Sequence, residues 1–300
     1  MLSKKLVVSR NIQADFARSV EVDTNKKLIY LGDNSHIKII DTADNDSVIG
    51  AENSSNGAIW DEWLSKDKSL LYVVDNKSFI IYNVSDKNHI TKNVSLLAIG
   101  AKKLFISSDE SIAVVKDASG VKLIDISNKK NISVMYEFKD SQYHTHAIAL
   151  GKNTKRLYAI QANTFRIYDL NTLTHPKLLH AEDNFPLASL AVSHDEKKIF
   201  LANSGKVWIK NISDIDHVKN EFYYDLKEEF SGQTFITVFD DDKTFITTAK
   251  QNLRIFSIHN KRQMHITKAI NNFSDLGPVK IINHLLYIPD GKNGLWILKK

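Results

Sequence analysis

One short pattern recurs along the whole chain, and it constrains the fold more than any other feature. Val121-Lys-Leu-Ile-Asp-Ile-Ser127 has relatives beginning at Ile37, Phe79, Phe165, Val207, Leu253 and Leu295. The seven starts, 37, 79, 121, 165, 207, 253 and 295, are spaced by a mean of 43 residues in a chain of 300. Seven such units account for the chain, so a single repeat domain over residues 1–300 is expected, with no second domain left over.

Each unit carries the same surroundings. Tyr30, Tyr72, Val114, Tyr158, Phe200 and Ile246 lie seven residues before their motif, and Tyr287 lies eight before Leu295, one residue being inserted in 290–294. These positions belong to aromatic and β-branched runs such as 28–31, 70–74, 157–160 and 199–202, which suit a strand buried on both faces. Polar turns precede them, as in Ser65-Lys-Asp-Lys-Ser69 and Ser193-His-Asp-Glu-Lys197. Another strand precedes each turn, and a looser fourth strand follows each motif. Four antiparallel strands per unit, seven times over, predict an all-β, seven-bladed β-propeller. The last unit stops after its third strand. Lys5–Val8 has no unit of its own, so it is expected to pair beside Leu295–Leu298 and complete the last blade, which removes open sheet edges.

Gly120-Val-Lys-Leu-Ile-Asp-Ile-Ser-Asn128 resembles the LVIVD-type repeat. The Ser-x-Asp-x-Lys turn followed by an apolar-Tyr strand is similar to that of other bacterial propellers and of WD-repeat proteins. The resemblance covers the whole chain at the level of the repeat. It implies the propeller fold; for function it implies only a range, from binding scaffolds and surface proteins to some enzymes. The sequence departs from the pattern at Lys129, where the LVIVD repeat commonly has Pro, and at Asn83, Asn211, Ser257 and Lys299, which replace the motif Asp.

Composition narrows the function classes. No apolar run reaches the roughly 18 residues of a spanning helix. With 0 Cys there is neither disulfide nor thiolate chemistry. The net charge is +5, but only six of the 40 basic residues are Arg, and none lies in a basic tract. That balance argues against nucleic acid and for a solvated surface. Met1–Arg10 lacks the apolar stretch of a secretory signal, so the chain as numbered reads as cytosolic, or as a mature form whose signal was removed before numbering.

Aligning the first strands on their turns puts Arg18, Trp60, Lys102, His146, Ala188 and Thr234 in one column at the strand entrance. Two and four residues later the same face carries Val20 and Val22, Leu104 and Ile106, Ile148 and Leu150, read as core. Arg, Trp, Lys and His at a channel mouth suit an anionic or aromatic group of a protein or peptide partner. The alternative is that rim positions merely tolerate polar residues. Tyr143 and Phe230, in the long excursions 139–144 and 227–233, complete the candidate binding set. His144 and His146 alternate onto one strand face and are the candidate metal ligands. A catalytic zinc needs a third ligand, for which the alignment offers Asp15, Asp61 or Glu62. Two functions are therefore weighed: a non-enzymatic scaffold that binds a protein or peptide, and a metal-dependent hydrolase of the propeller-lactonase kind. No phosphate loop, nucleophile elbow or zincin motif occurs, and no cofactor is implied. Asp240–Asp242 lacks calcium-loop spacing and reads, like Glu228-Glu229, as a solvated turn. The motif residues Asp41, Asn83, Asp125, Asp169 and Asn211 recur in blade after blade, so a structural role is expected of them, receiving turn N–H groups.

Overall fold

The computed structural model describes all residues except 1–5, 55–56, 140–144, 154, 186–188, 204, 227–233, 260–262 and 300. It is a seven-bladed β-propeller, with 28 strands in seven four-stranded antiparallel sheets and no helix among the described residues. The amino-terminal strand is β1 (Val7–Ile12). Blade one comprises β2 (Ala17–Asp23), β3 (Leu28–Asp33), β4 (His36–Asp41) and β5 (Ser47–Asn53). Blade two comprises β6 (Ile59–Leu64), β7 (Leu70–Asp75), β8 (Ser78–Asn83) and β9 (Thr91–Leu97), and blade three β10 (Lys103–Ile106), β11 (Ile112–Asp117), β12 (Gly120–Asp125) and β13 (Ser133–Lys139). Blade four runs through β14 (Thr145–Leu150), β15 (Arg156–Gln161), β16 (Thr164–Asp169) and β17 (Lys177–Glu182). Blade five holds β18 (Ser189–Val192), β19 (Lys198–Ala202), β20 (Lys206–Asn211) and β21 (Lys219–Asp225), and blade six β22 (Thr234–Val238), β23 (Thr244–Ala249), β24 (Asn252–His259) and β25 (Gln263–Ile270). Blade seven has β26 (Lys280–Ile282), β27 (Leu285–Pro289) and β28 (Leu295–Lys299), and β1 is its fourth strand. Two compact units result, one of Leu6–Lys139 with Lys280–Lys300, the other of Asp140–Val279.

The repeat is a burial pattern. The first motif residues Ile37, Phe79, Val121, Phe165, Val207, Leu253 and Leu295 all have no exposed surface. Tyr30, Tyr72, Tyr158 and Phe200 on the second strands are equally buried. Each such side chain contributes roughly 1.5–3 kcal/mol on leaving water, which keeps the same residue classes at these positions in every unit. The fourth strands are looser because six of them carry a bulge against the third strand, as between Ile39 and Ile40 in blade one.

The completing strand differs in extent from the expected one. Lys5 lies outside the described residues, and the pairing runs from Val7 opposite Lys299 to Ile12 opposite Leu295. Gly294 makes that approach possible: it holds φ +80, and a Cβ there would sit 2.1 Å from the Ile12 carbonyl oxygen.

The turns follow local side-chain chemistry. Ser65, Ser107 and Ser193 each donate their hydroxyl to the Asp two residues on and accept the N–H of the residue five on. The motif residues behave as expected of structural groups: Asp41, Asn83, Asp125, Asp169 and Asn211 each accept the N–H two residues on. One turn position does more. Glu110, Glu196 and Asp242 hold positive φ, and their carboxylates accept the backbone N–H of Lys66, Asn153 and His194 from the preceding blade. The Asp240–Asp242 turn is thus only partly solvated. Asp240 is 98% exposed, whereas Asp242 also takes the Asp195 N–H and meets His194 Nδ1 at 3.0 Å.

Candidate functional site

Three of the column residues share a backbone device. In β2 the register against β3 slips by one between Ala17 and Ser19, so Arg18 has no opposite partner. In β6 the slip falls between Ile59 and Asp61, which leaves Trp60 as the extra residue. In β14 it falls between Thr145 and Ala147, at His146. A bulge re-aims one side chain without changing the register of the rest. That explains why the column is where core gives way to rim: Val20, Val22, Leu104, Ile106 and Ile148 beyond it are buried as expected, while Leu150 is only half-buried. Gly32, opposite Ser19 at the first bulge, is needed for the close packing there. A Cβ on it would lie 2.2 Å from Ser19 Oγ and 2.8 Å from Ile59 Cγ2.

Within the unit of blades seven, one, two and three, the re-aimed residues meet. The Arg18 guanidinium lies 4.3 Å from the Phe16 ring centroid and 4.3 Å from that of Trp60. The Lys102 ammonium stands 4.9 Å from the same Trp60 ring. Such contacts contribute roughly 0.5–1 kcal/mol each at exposed sites, so the array is held but not locked. Its base is firmer. Trp60 Nε1 donates to Asn76 Oδ1, which orients the indole. Asp33, fully buried, accepts the N–H of Phe16 at 2.5 Å and of Asp15 at 3.1 Å and pairs with Lys38. Burial pushes the Asp33 carboxyl up, but Lys38 and the two N–H groups outweigh it and leave the group below its ordinary range. A charged Asp33 therefore anchors the loop that presents Phe16.

His146 is half-buried in the other unit. Tyr143, His144 and Ala188 lie outside the described residues, as do Phe230 and most of the two long excursions. Thr234 opens β22 and is half-buried. Among the described residues no three His, Asp or Glu side chains are placed to hold a metal ion. Asp61 and Glu62, offered as metal partners by alignment, have other surroundings. Asp61 pairs with Lys103 at 2.8 Å and accepts the Leu104 and Glu62 N–H groups.

The first strands of this unit also hold a buried charge cluster. Lys280 of β26 pairs with Glu21 of β2 at 2.6 Å, and its ammonium stands 5.2 Å from the Trp63 ring. Glu62 is 1% exposed. Burial first, then the charges of Glu21 and Asp61, push the Glu62 carboxyl well above its usual range against the opposing pull of Lys280. Burial also raises Glu21, which Lys280 only partly offsets. Phe16, Asn76, Glu21 and Lys280 were not marked by sequence. Phe16 stands two residues before the column, and an aromatic at that offset is a sequence signal for it alone; Asn76 sits in an Asp-Asn turn, and the bulge it faces is a slip in strand pairing.

No protein-family model matches the chain, and no curated protein matches it. Solved structures do. The β-propeller domain of Myceliophteria thermophila Cps50 (Swd1) superposes with a TM-score of 0.80 at 11% identity, covering 99% of this chain and 100% of that one. A chain of the Mitotic Checkpoint Complex gives a TM-score of 0.76 at 13% identity, covering 98% and 94%. At these identities the likeness establishes the fold alone, that of a seven-bladed β-propeller.

Proposed function

We propose that the chain is a non-enzymatic scaffold that binds a protein or peptide through the face bearing Phe16, Arg18, Trp60 and Lys102. The observation that supports this reading most is the stacking of two cations on one oriented indole, at positions where bulges turn Arg18 and Trp60 out of their strands. Mere tolerance of polar residues at a rim would not bring an Arg and a Lys onto the same Trp, nor fix its Nε1 on Asn76. Trp and Arg are the usual anchors of interfaces, and a rim of half-buried aromatic and charged groups is what a partner can desolvate. One similar chain was solved within the Mitotic Checkpoint Complex, a setting in keeping with a scaffold. The test compares partner recovery by the wild type and by an Arg18→Ala, Trp60→Ala double variant that still melts cooperatively. Loss of a partner by the variant supports the reading. Equal recovery of every partner moves the site to another surface.

A further inference from the structure

We infer that the outer sheet face of blade five is a second docking surface, and that its occupant is a proline-rich segment in polyproline II conformation with an acidic residue beside it. The inference is independent of the Trp60 reading and uses blades four and five only.

The repeat supplies the internal control. In several blades the second residue of the motif serves its own blade: Lys38 pairs with Asp33, Lys122 with Asp117, and Trp296 Nε1 donates to Asp290. Trp208 holds that place in blade five and serves no such partner. Asn203, which stands where those blades have Asp, accepts the Gly205 and Lys206 N–H groups, and Trp208 Nε1 makes no hydrogen bond among the described residues. Opposite the motif residue the outer strand carries small or polar residues in the other blades, as at Ala51, Ser95 and Asn11; in blade five it carries Tyr223. Tyr223 is 54% exposed. An aromatic pair thus stands where the repeat requires none.

The pair is preorganised. The Trp208 and Tyr223 ring centroids lie 6.0 Å apart with their planes at 48°. Phe185, in the loop after β17, meets the indole edge-on at 6.2 Å. Phe185 is itself fixed: the Lys210 ammonium stands 4.8 Å from its ring and donates to both Glu182 oxygens, at 2.9 and 2.8 Å. Side chains alternate along β20, so Lys206, Trp208 and Lys210 share one face. Lys210 is buried, and Lys206 is exposed. The Lys206 ammonium has no ion pair among the described residues; Asp225, opposite it in register, instead accepts the Tyr223 hydroxyl at 3.4 Å.

These groups select the occupant. Two tilted rings make a shallow groove that pyrrolidine rings fill, and a proline nitrogen brings no N–H that needs an acceptor. The unspent groups, the indole N–H and the Lys206 ammonium, are both donors. A polyproline II segment gives Trp208 Nε1 a carbonyl and asks for no acceptor in return, and a flanking carboxylate complements Lys206. A sugar would stack on the same rings, but its hydroxyls donate as well as accept, whereas Trp208 and Lys206 only donate.

The probes are fluorescein-labelled hexaproline peptides carrying a pair of glutamates at the amino or the carboxyl end, titrated into the full chain by fluorescence anisotropy. Controls replace the prolines with alternating Ser and Gly, or Glu with Gln, and cellohexaose serves as the sugar. The variants are Tyr223→Ala and Lys206→Gln, both at exposed positions, and the Arg18→Ala, Trp60→Ala double variant, each checked for a cooperative melt. One or both peptides should bind the wild type saturably, and about tenfold or more weakly to Tyr223→Ala. Binding should weaken with Lys206→Gln, in the Gln peptide and with salt, and should vanish in the Ser-Gly peptide. The Nε1–H resonance of Trp208, one of 4 Trp and assigned through Trp208→Phe, should shift during the titration. The Arg18→Ala, Trp60→Ala variant should bind as the wild type does. No saturable binding of either peptide up to about 1 mM, binding undiminished by Tyr223→Ala, or tighter binding of cellohexaose would overturn the inference. Loss through the Arg18→Ala, Trp60→Ala variant alone would also overturn it, by placing the peptide on the Trp60 face.

Discussion

Replacing Lys280 with Met should destabilise the protein out of proportion to a single surface charge. The substitution removes an ammonium 2.6 Å from Glu21 Oε1 and keeps an apolar stem of similar volume beside Trp63, so little cavity is added. What remains is electrostatic. The Glu21 side chain is 12% exposed, and the buried Glu62 carboxyl loses the cation that favours its charged form. Breaking a buried pair from one side costs about 3–5 kcal/mol. Lys280 keeps 27% of its side chain exposed, which places the expected loss at the low end, about 3 kcal/mol at neutral pH. For a unit of this size that corresponds to a fall of roughly 6–12 °C in Tm. The loss should shrink in acid. Glu21 and Glu62 have folded-state pKa values raised above the ordinary 4.5. The native state therefore holds more protons than the unfolded one above that pH, and stability declines as pH rises through the window. Without Lys280 that decline steepens. Urea unfolding followed by circular dichroism, at pH values near 5 and 8, measures both effects. A loss below about 1 kcal/mol, equal at the two pH values, would mean that the pair is hydrated and the buried-cluster argument is wrong. A Glu21→Gln, Lys280→Met double variant should recover part of the stability, because no orphaned charge remains at Glu21.

Glu62→Gln should raise stability at neutral and alkaline pH and flatten the pH dependence of the urea midpoint, since a neutral amide replaces a carboxyl that resists ionisation; a steeper profile would contradict this. Tyr158→Ala removes a ring with no exposed surface and should cost roughly 3–5 kcal/mol in the same assay; a loss under about 1 kcal/mol would mean that the ring is not part of the packed core. Deleting residues 1–12 strips β1 from β28, leaving Leu295 and Ile297 without their cover strand, and should lower the unfolding midpoint and promote association through the opened edge, seen by size-exclusion chromatography. A truncated chain that melts and elutes like the full one would refute the closure.

The fold was legible because its repeat is a burial pattern. Seven motif starts sit at positions without exposed surface, and burial tolerates few residue types. The site was legible in part. Arg18, Trp60 and His146 stood out as a column that changes residue in every blade, but the reason, an extra residue in β2, β6 and β14, leaves no residue signature. A bulge is a slip in pairing and shows only once two strands are laid together. Nor could alignment reveal that Lys280 pairs with Glu21, since the contact joins β26 to β2 across 259 residues. The sequence reads Asp242 as part of a solvated turn because the N–H donor its carboxylate accepts lies on the neighbouring blade, as do those of Glu110 and Glu196.

The central claim is that partners engage the Trp60 face. The most direct test places a photo-crosslinking amino acid at Lys102, beside that indole, or at Val48 on the outer strand of blade one, which is 55% exposed. Irradiation with a partner should give a discrete adduct from position 102 and none from position 48. Adducts from position 48 alone, or equally from both, would contradict the account.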